Sequence, residues 1–205
     1  MTMTKTTIAV DSSNRSLAEA IKLTADAGTY AGLDNAQNLR LRLLVEELIG
    51  LLRGIAGDLK ADYTIEEENK KFTLHLKGEV SLDKKMHDQL IESSTNGKNA
   101  AAKGFTGRLR EMIGTMLLPG TLGNTFVTGF SMGLMNMGSP VASVDSIAGT
   151  NAYLWSMEKY VNAVKESDSK EEWDALERSI LVNAADDVKV SIVGNDVEII
   201  IEKQF

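Results

Sequence analysis

One junction limits what this chain can fold into more than any other feature: a long helical stripe that runs directly into two alternating stretches. Leu41, Leu44, Val45, Leu48, Leu52 and Ile55 recur at helical spacing, which predicts a helix over 36–55 with one apolar face. Asp34, with Gln37 behind it, is the pattern of a reciprocal cap on that helix, and Gly57 is expected to end it. Beyond it Tyr63 and Ile65 point one way, and Phe72, Leu74 and Leu76 alternate with Thr73, His75 and Lys77. The polar stretch Glu67 to Lys71 is expected as the hairpin loop between them. A one-faced helix feeding one-faced strands predicts a sheet buried on one side and wet on the other.

The flanking sequence extends the pattern. Thr7 to Val10 reads as a short strand or an extended lead-in. Ser16 and Glu19 form a capping-box pattern for a helix over 17–30 that carries Leu17, Ile21 and Thr24 on one face and is broken at Gly32. Helices are expected over 83–92 and 105–117, separated by a polar loop over 93–99. Leu154, Met157, Val161 and Val164 make another stripe. Ser169 and Glu172 form a second capping box before Trp173, Leu176 and Ile180. At the end, Val188, Val190 and Ile192, then Val197, Ile199 and Ile201, alternate on either side of Gly194-Asn195, a tight hairpin signal. The expected fold class is α+β: a mixed, mostly antiparallel sheet with helices on one face and a helical insertion. At 205 residues, with no repeat or long linker, the chain is read as one domain, 1–205.

One segment departs from the rest. Residues 112–144 contain no charged side chain, both prolines, five of the nine methionines and six glycines. Gly, Pro, Asn and Ser interrupt the run too often for a membrane span. Residues 112–150 are therefore read as an uncharged insertion or lid within the domain. The readings of 112–144 are a partly buried irregular segment or short helices, a lid or partner-docking surface, and membrane contact.

Composition removes several function classes. The net charge is −7, with no dense basic stretch, which argues against nucleic acid and anionic membrane surfaces as partners. The absence of cysteine excludes disulfides, thiolate nucleophiles and thiolate metal sites. With only His75 and His87, a histidine triad or multi-histidine zinc site is not expected. The amino-terminal residues lack an apolar signal core, so a cytoplasmic protein is expected.

The order helix, glycine break, long helix with paired glutamates, hairpin, variable helical region and closing strands resembles the GHKL (histidine-kinase-like) ATPase fold. Ala31-Gly32-Leu33, Leu41 to Leu48 with Glu46-Glu47, and Phe72 to Leu76 carry the likeness. Within that fold it resembles the anti-sigma-factor serine kinases. The resemblance covers 14–80 and extends to 186–205. It implies a two-layer sandwich and a site for ATP with magnesium. It further implies that Glu47 is the base or water-positioning glutamate. The family's magnesium-holding asparagine, four residues later on the same helical edge, falls at Leu51, which has no oxygen for a hard cation. The adenine-binding Asp-x-Gly-x-Gly turn falls at 76–83, where Gly78 alone remains. The phosphate turn has two candidate registers, Gly104 to Gly107 and Gly149-Thr150-Asn151.

From the residues themselves, the best anion-site candidate is the polar loop before the 105–117 helix. There Asn96, Lys98, Lys103, Gly104 and Gly107 combine charge, small residues and a helix start. Its plain alternative is a polar connection. Glu47, at the border of the apolar face, could be a partly desolvated base or a solvated helix edge. His75 and His87 are expected on exposed faces. Glu66-Glu67-Glu68 and Asp186-Asp187 are expected to be turns and not a metal cage.

With all three motifs weakened, the expected function is a regulatory protein with a degenerate nucleotide site and no cofactor. It would bind a protein partner, such as a sigma-factor-like regulator, through 112–144 or the exposed sheet face, and it could form a homodimer. The alternatives are an active ATP-dependent serine kinase and a small-molecule-binding or structural protein.

Overall fold

The computed structural model of the chain describes residues 3–82, 104–117, 155–166 and 170–205. Strand β1 (Thr4–Asp11) leads into helices α1 (Asn14–Tyr30) and α2 (Asn35–Arg53), then β2 (Ala56–Glu68) and β3 (Lys71–Leu82). Helix α3 (Gly104–Met116), the two-residue β4 (Trp155–Ser156), α4 (Met157–Glu166), α5 (Lys170–Glu177) and α6 (Ile180–Ala184) follow. β5 (Asp187–Val193) and β6 (Asp196–Gln204) close the chain. The strands form one six-stranded sheet in the order β1-β2-β3-β6-β5-β4, and every neighbouring pair is antiparallel. The fold class is α+β, and no parallel pair occurs among the described strands.

Register decides which side is buried. Ile65 pairs with Leu74 and Tyr63 with Leu76, and Leu74 and Leu76 pair onward with Ile201 and Ile199. These side chains therefore line one face, where α1 and α2 pack against β1, β2, β3 and β6. Leu41, Leu44, Val45, Leu48, Leu52 and Ile55 are all inaccessible to solvent and join the inward residues of the sheet in one core. Tyr63 is buried with its hydroxyl 2.7 Å from Thr24 Oγ1 on α1, and Thr24 donates to the Ala20 carbonyl at 2.8 Å. Burial pushes the Tyr63 phenol up, so it stays neutral and donates to Thr24.

The Asp34–Gln37 cap is present in both directions: Gln37 N donates to Asp34 at 2.8 Å and Asp34 N to Gln37 at 3.0 Å. Both hairpin turns are tight. The first is narrower than the sequence suggests, with only Asn69 and Lys70 (φ 54° and 61°) between the strands, and the second turns at Gly194 (φ 63°). Glu67 helps close the first turn by accepting from Lys70 N at 2.9 Å.

Three expectations are corrected. Ser13, not Ser16, caps α1, accepting from Ser16 N at 3.2 Å, while Ser16 Oγ accepts from Asp11 N at 2.9 Å. The helix therefore starts three residues before the expected 17, and Glu19 pairs with Arg15 instead of closing a box. Helix α2 ends at Gly54, and Gly57 lies in β2; Ile55 is buried just outside the helix. The stripe Trp173, Leu176, Ile180 is not one face. The helix breaks at Arg178 and restarts on a Ser179 cap, which leaves Trp173 and Ile180 exposed and brings Leu181 into the core.

Helix α3 matches the expected 105–117 span to within one residue at each end, and Met112, Ile113 and, just past the helix, Leu117 are core residues. The start of the uncharged segment is therefore an ordinary amphipathic helix end, and the rest of 112–150 lies outside the described residues. So do the helix over 83–92 with His87, the loop over 93–99, Leu154 and Ser169. Among the described residues no helix is long and apolar enough to cross a membrane.

Candidate functional site

Glu47 is held by the carboxy-terminal half of α2, whose apolar residues face the sheet. Leu48 and Leu51 beside it are fully buried, Glu46 is exposed, and Glu47 sits between, half-buried. Desolvation raises its carboxyl above the ordinary value of 4.5; the positive charge of Arg110 opposes this and neighbouring Glu46 adds to it.

Arg110 comes from α3, which packs against α2. Its Nη2 donates to the Gly50 carbonyl at 3.1 Å, and its guanidinium fills the space that a side chain at Gly54 would need. Gly54 clears the space for the arginine, and Gly50, one helical turn earlier, supplies the carbonyl it donates to; the positive charge suits the carbonyl-rich end of α2. Arg110 Nε is buried and has no hydrogen-bond partner among the described residues. The sequence reading passed over Arg110. The signal was Gly54, a residue without a side chain at the end of a helical turn of leucines and an arginine.

A neutral Glu47 is the form that burial favours. Its contribution to stability is present below about pH 4.5 and is lost as pH rises through the elevated folded-state value. Glu47→Gln is therefore expected to raise the unfolding midpoint at pH 7 and to leave it nearly unchanged at acidic pH. Thermal unfolding at the two pH values checks this; equal midpoints at pH 7 would mean that the carboxylate is not desolvated.

Leu51 is inaccessible to solvent, packed among Leu48, Leu52 and Ile55 in the core. A magnesium ion needs oxygen ligands, and this position offers hydrocarbon. The residues present do not fit the magnesium that the GHKL resemblance implies. Gly78 does not begin a turn either. It lies within β3, paired with Ala61 on one side and Val197 on the other, and the strand runs on to Leu82. A Cβ there would overlap the Lys60 carbonyl oxygen and approach Ala61 Cβ to 2.6 Å. The glycine answers a close strand contact.

Of the expected anion site, Gly104 opens α3 and Gly107 lies in its first turn. Asn96, Lys98 and Lys103 lie outside the described residues, as does the alternative register at Gly149 to Asn151. Among the described residues, Arg110 is the cation whose charge acts on Glu47.

The outer sheet face carries paired charges. Lys5 bonds Glu66 at 2.7 Å, His75 lies 3.9 Å from Glu66 and 3.8 Å from Glu198, and Glu202 takes both Lys71 at 3.2 Å and Lys189. His75 is on this outer face, as its alternation predicted. The acidic runs do local work: Asp186 accepts from Lys203 and from Gln204 N, each at 2.6 Å, which holds its carboxyl low despite partial burial. Among the described residues no group of histidine and carboxylate side chains could hold a metal ion. Compared with known proteins, the sequence matches no family model and no curated protein.

Proposed function

We propose that this chain is a cytoplasmic regulatory protein of the GHKL, anti-sigma-factor-like type, with a degenerate nucleotide site, acting by binding a protein partner such as a sigma-factor-like regulator. The observation that carries the reading is Leu51, buried as hydrocarbon one turn beyond Glu47, where the family it resembles uses an oxygen ligand. The element order supports the likeness: strand, helix, long capped helix, hairpin, helices and closing hairpin with helices over one sheet face. The occupied carbonyl of Gly50 and the strand-bound Gly78 further support loss of the nucleotide chemistry.

Thermal unfolding with millimolar Mg-ATP, Mg-ADP and an unrelated polyanion tests it. A ligand at about 100 times its dissociation constant stabilises by about 2.7 kcal/mol, which is several degrees for a domain of this size. The expected result is an unchanged midpoint with all three. A nucleotide-specific shift of several degrees would overturn the degenerate-site reading. One observation favours that rival, an active serine kinase: desolvation raises the Glu47 carboxyl, which makes it a stronger base than an ordinary carboxylate. Loss of turnover in a folded Glu47→Ala variant would then be its signature.

A further inference from the structure

The last turn of a helix presents carbonyls with partial negative charge, and cations settle there. At the end of α2 the Gly50 carbonyl accepts from Gly54 N at 3.1 Å and also from Arg110 Nη2 at 3.1 Å. Glu47, three residues before Gly50, shares that side of the helix and feels the Arg110 charge. Gly54 supplies a surface without a side chain, where an added Cβ would overlap the guanidinium. Gly54 is exposed and Gly50 half-buried, so this groove opens to solvent. A Cβ at Gly50 would meet nothing within 4 Å, which leaves room beside the arginine.

A carboxylate, a carbonyl and a flat backbone surface together select a planar guanidinium. Its charge is spread over a rigid fork of donors and is weakly hydrated, whereas an ammonium is a compact, strongly hydrated point charge. Arg110 fills the groove imperfectly. Its Nε is buried with no hydrogen-bond partner among the described residues, and an unpaired buried donor offsets part of what the contact contributes. The guanidinium head, not the stem that joins it to α3, makes the contacts the groove offers. An arginine from another chain can therefore make them too.

We infer that the carboxy-terminal end of α2 is a guanidinium-binding site, filled from within the chain by Arg110 and filled by an arginine side chain of a partner protein when that arginine displaces Arg110. Arg110 is then an internal competitor: tethered beside the groove, it acts at a high effective concentration and keeps free cations out. A net charge of −7 favours the approach of a partner that presents arginine on its surface. Only the source of the second arginine rests on the partner-binding reading; the site itself rests on the contact of α3 with α2.

Thermal unfolding of full-length Arg110→Ala with Nα-acetyl-arginine amide tests the site. The citrulline and lysine analogues are the controls, one lacking the charge and the other the fork. At about 10 mM the arginine probe is expected to raise the midpoint of Arg110→Ala by about 3 °C, with no resolved shift from either control. The wild-type midpoint is expected to move less, because Arg110 occupies the groove. Adding Gly54→Ala to Arg110→Ala puts a methyl group where the guanidinium would lie and is expected to abolish the response. No response in Arg110→Ala, or an equal response to all three probes, overturns the inference. An Arg110→Ala chain that is unfolded in buffer must refold with the arginine probe alone; a chain that stays unfolded with it overturns the inference equally. Displacement is read in the wild-type chain from the Arg110 Nε–H resonance. It is expected to move toward that of a solvated arginine with the arginine probe at about 100 mM, above the millimolar effective concentration of a tethered group. A resonance that stays fixed overturns displacement. The probes are small molecules, so a failure counts against the site and not against partner binding elsewhere on the protein.

Discussion

Leu51→Asn is expected to lower the unfolding midpoint by about 10 °C and to create no affinity for Mg-ATP. The substitution writes the GHKL residue back into the position the likeness assigns to it. If the surrounding site were intact, magnesium binding would return. Leu51 instead has no solvent exposure and is packed within the core formed by α2 and the sheet. Removing a buried leucine costs about 2–5 kcal/mol, and an unpaired buried amide adds about 1–3 kcal/mol. A total near 4 kcal/mol is a large part of a typical stability of about 5–15 kcal/mol. At about 2–4 °C per kcal/mol this gives the stated shift. Leu51→Met, which keeps the volume apolar, is expected to cost less than about 1.5 kcal/mol. Wild-type stability in Leu51→Asn, with a new magnesium-dependent nucleotide shift, would return the kinase reading to the lead.

Gly78→Ala is expected to destabilise the fold by about 3 kcal/mol, the upper end of the cost of overpacking. The added methyl has nowhere to go. It would meet the Lys60 carbonyl oxygen, Ala61 Cα at 2.7 Å and Ala61 Cβ at 2.6 Å, and two of these are backbone atoms of the paired strand. A side chain could rotate away; a strand in mid-sheet cannot move without disturbing its ladder. Gly50→Ala is the control, because an added methyl there meets nothing within 4 Å and alanine favours helix. Denaturant unfolding of the two variants measures the contrast. Equal stabilities would mean that β2 and β3 are less closely held at this point than the geometry requires.

The elements most legible in the sequence were those with strong periodicity or local chemistry. The α2 stripe, its Asp34–Gln37 cap, the β2–β3 alternation and the Gly194-Asn195 turn all lie where expected. The misplaced boundaries had local competitors. Ser13 and Ser16 can both cap a helix, and the choice fell to Asp11 N, which takes up the Ser16 hydroxyl. The Trp173–Ile180 stripe looked continuous because the Ser179 cap that breaks it obeys a rule of its own.

The candidate site was only half legible. Glu47 could be picked out as a border carboxylate, and Leu51 as a residue without a ligand atom. Arg110 lies sixty residues from Gly50 in the chain, and only folding brings them together. The sequence by itself determined the binary pattern: which helix face and which strand face exclude water, where the tight turns fall, and that no cysteine chemistry exists. These follow from side-chain polarity and short-range backbone preference. The tertiary structure alone decided that the closing hairpin inserts beside β3, that Gly54 makes room for a guanidinium, that Gly78 serves a strand contact, and that β1 is left at the edge. Those outcomes depend on contacts between distant segments, whose energies arise only once both are packed against the same core.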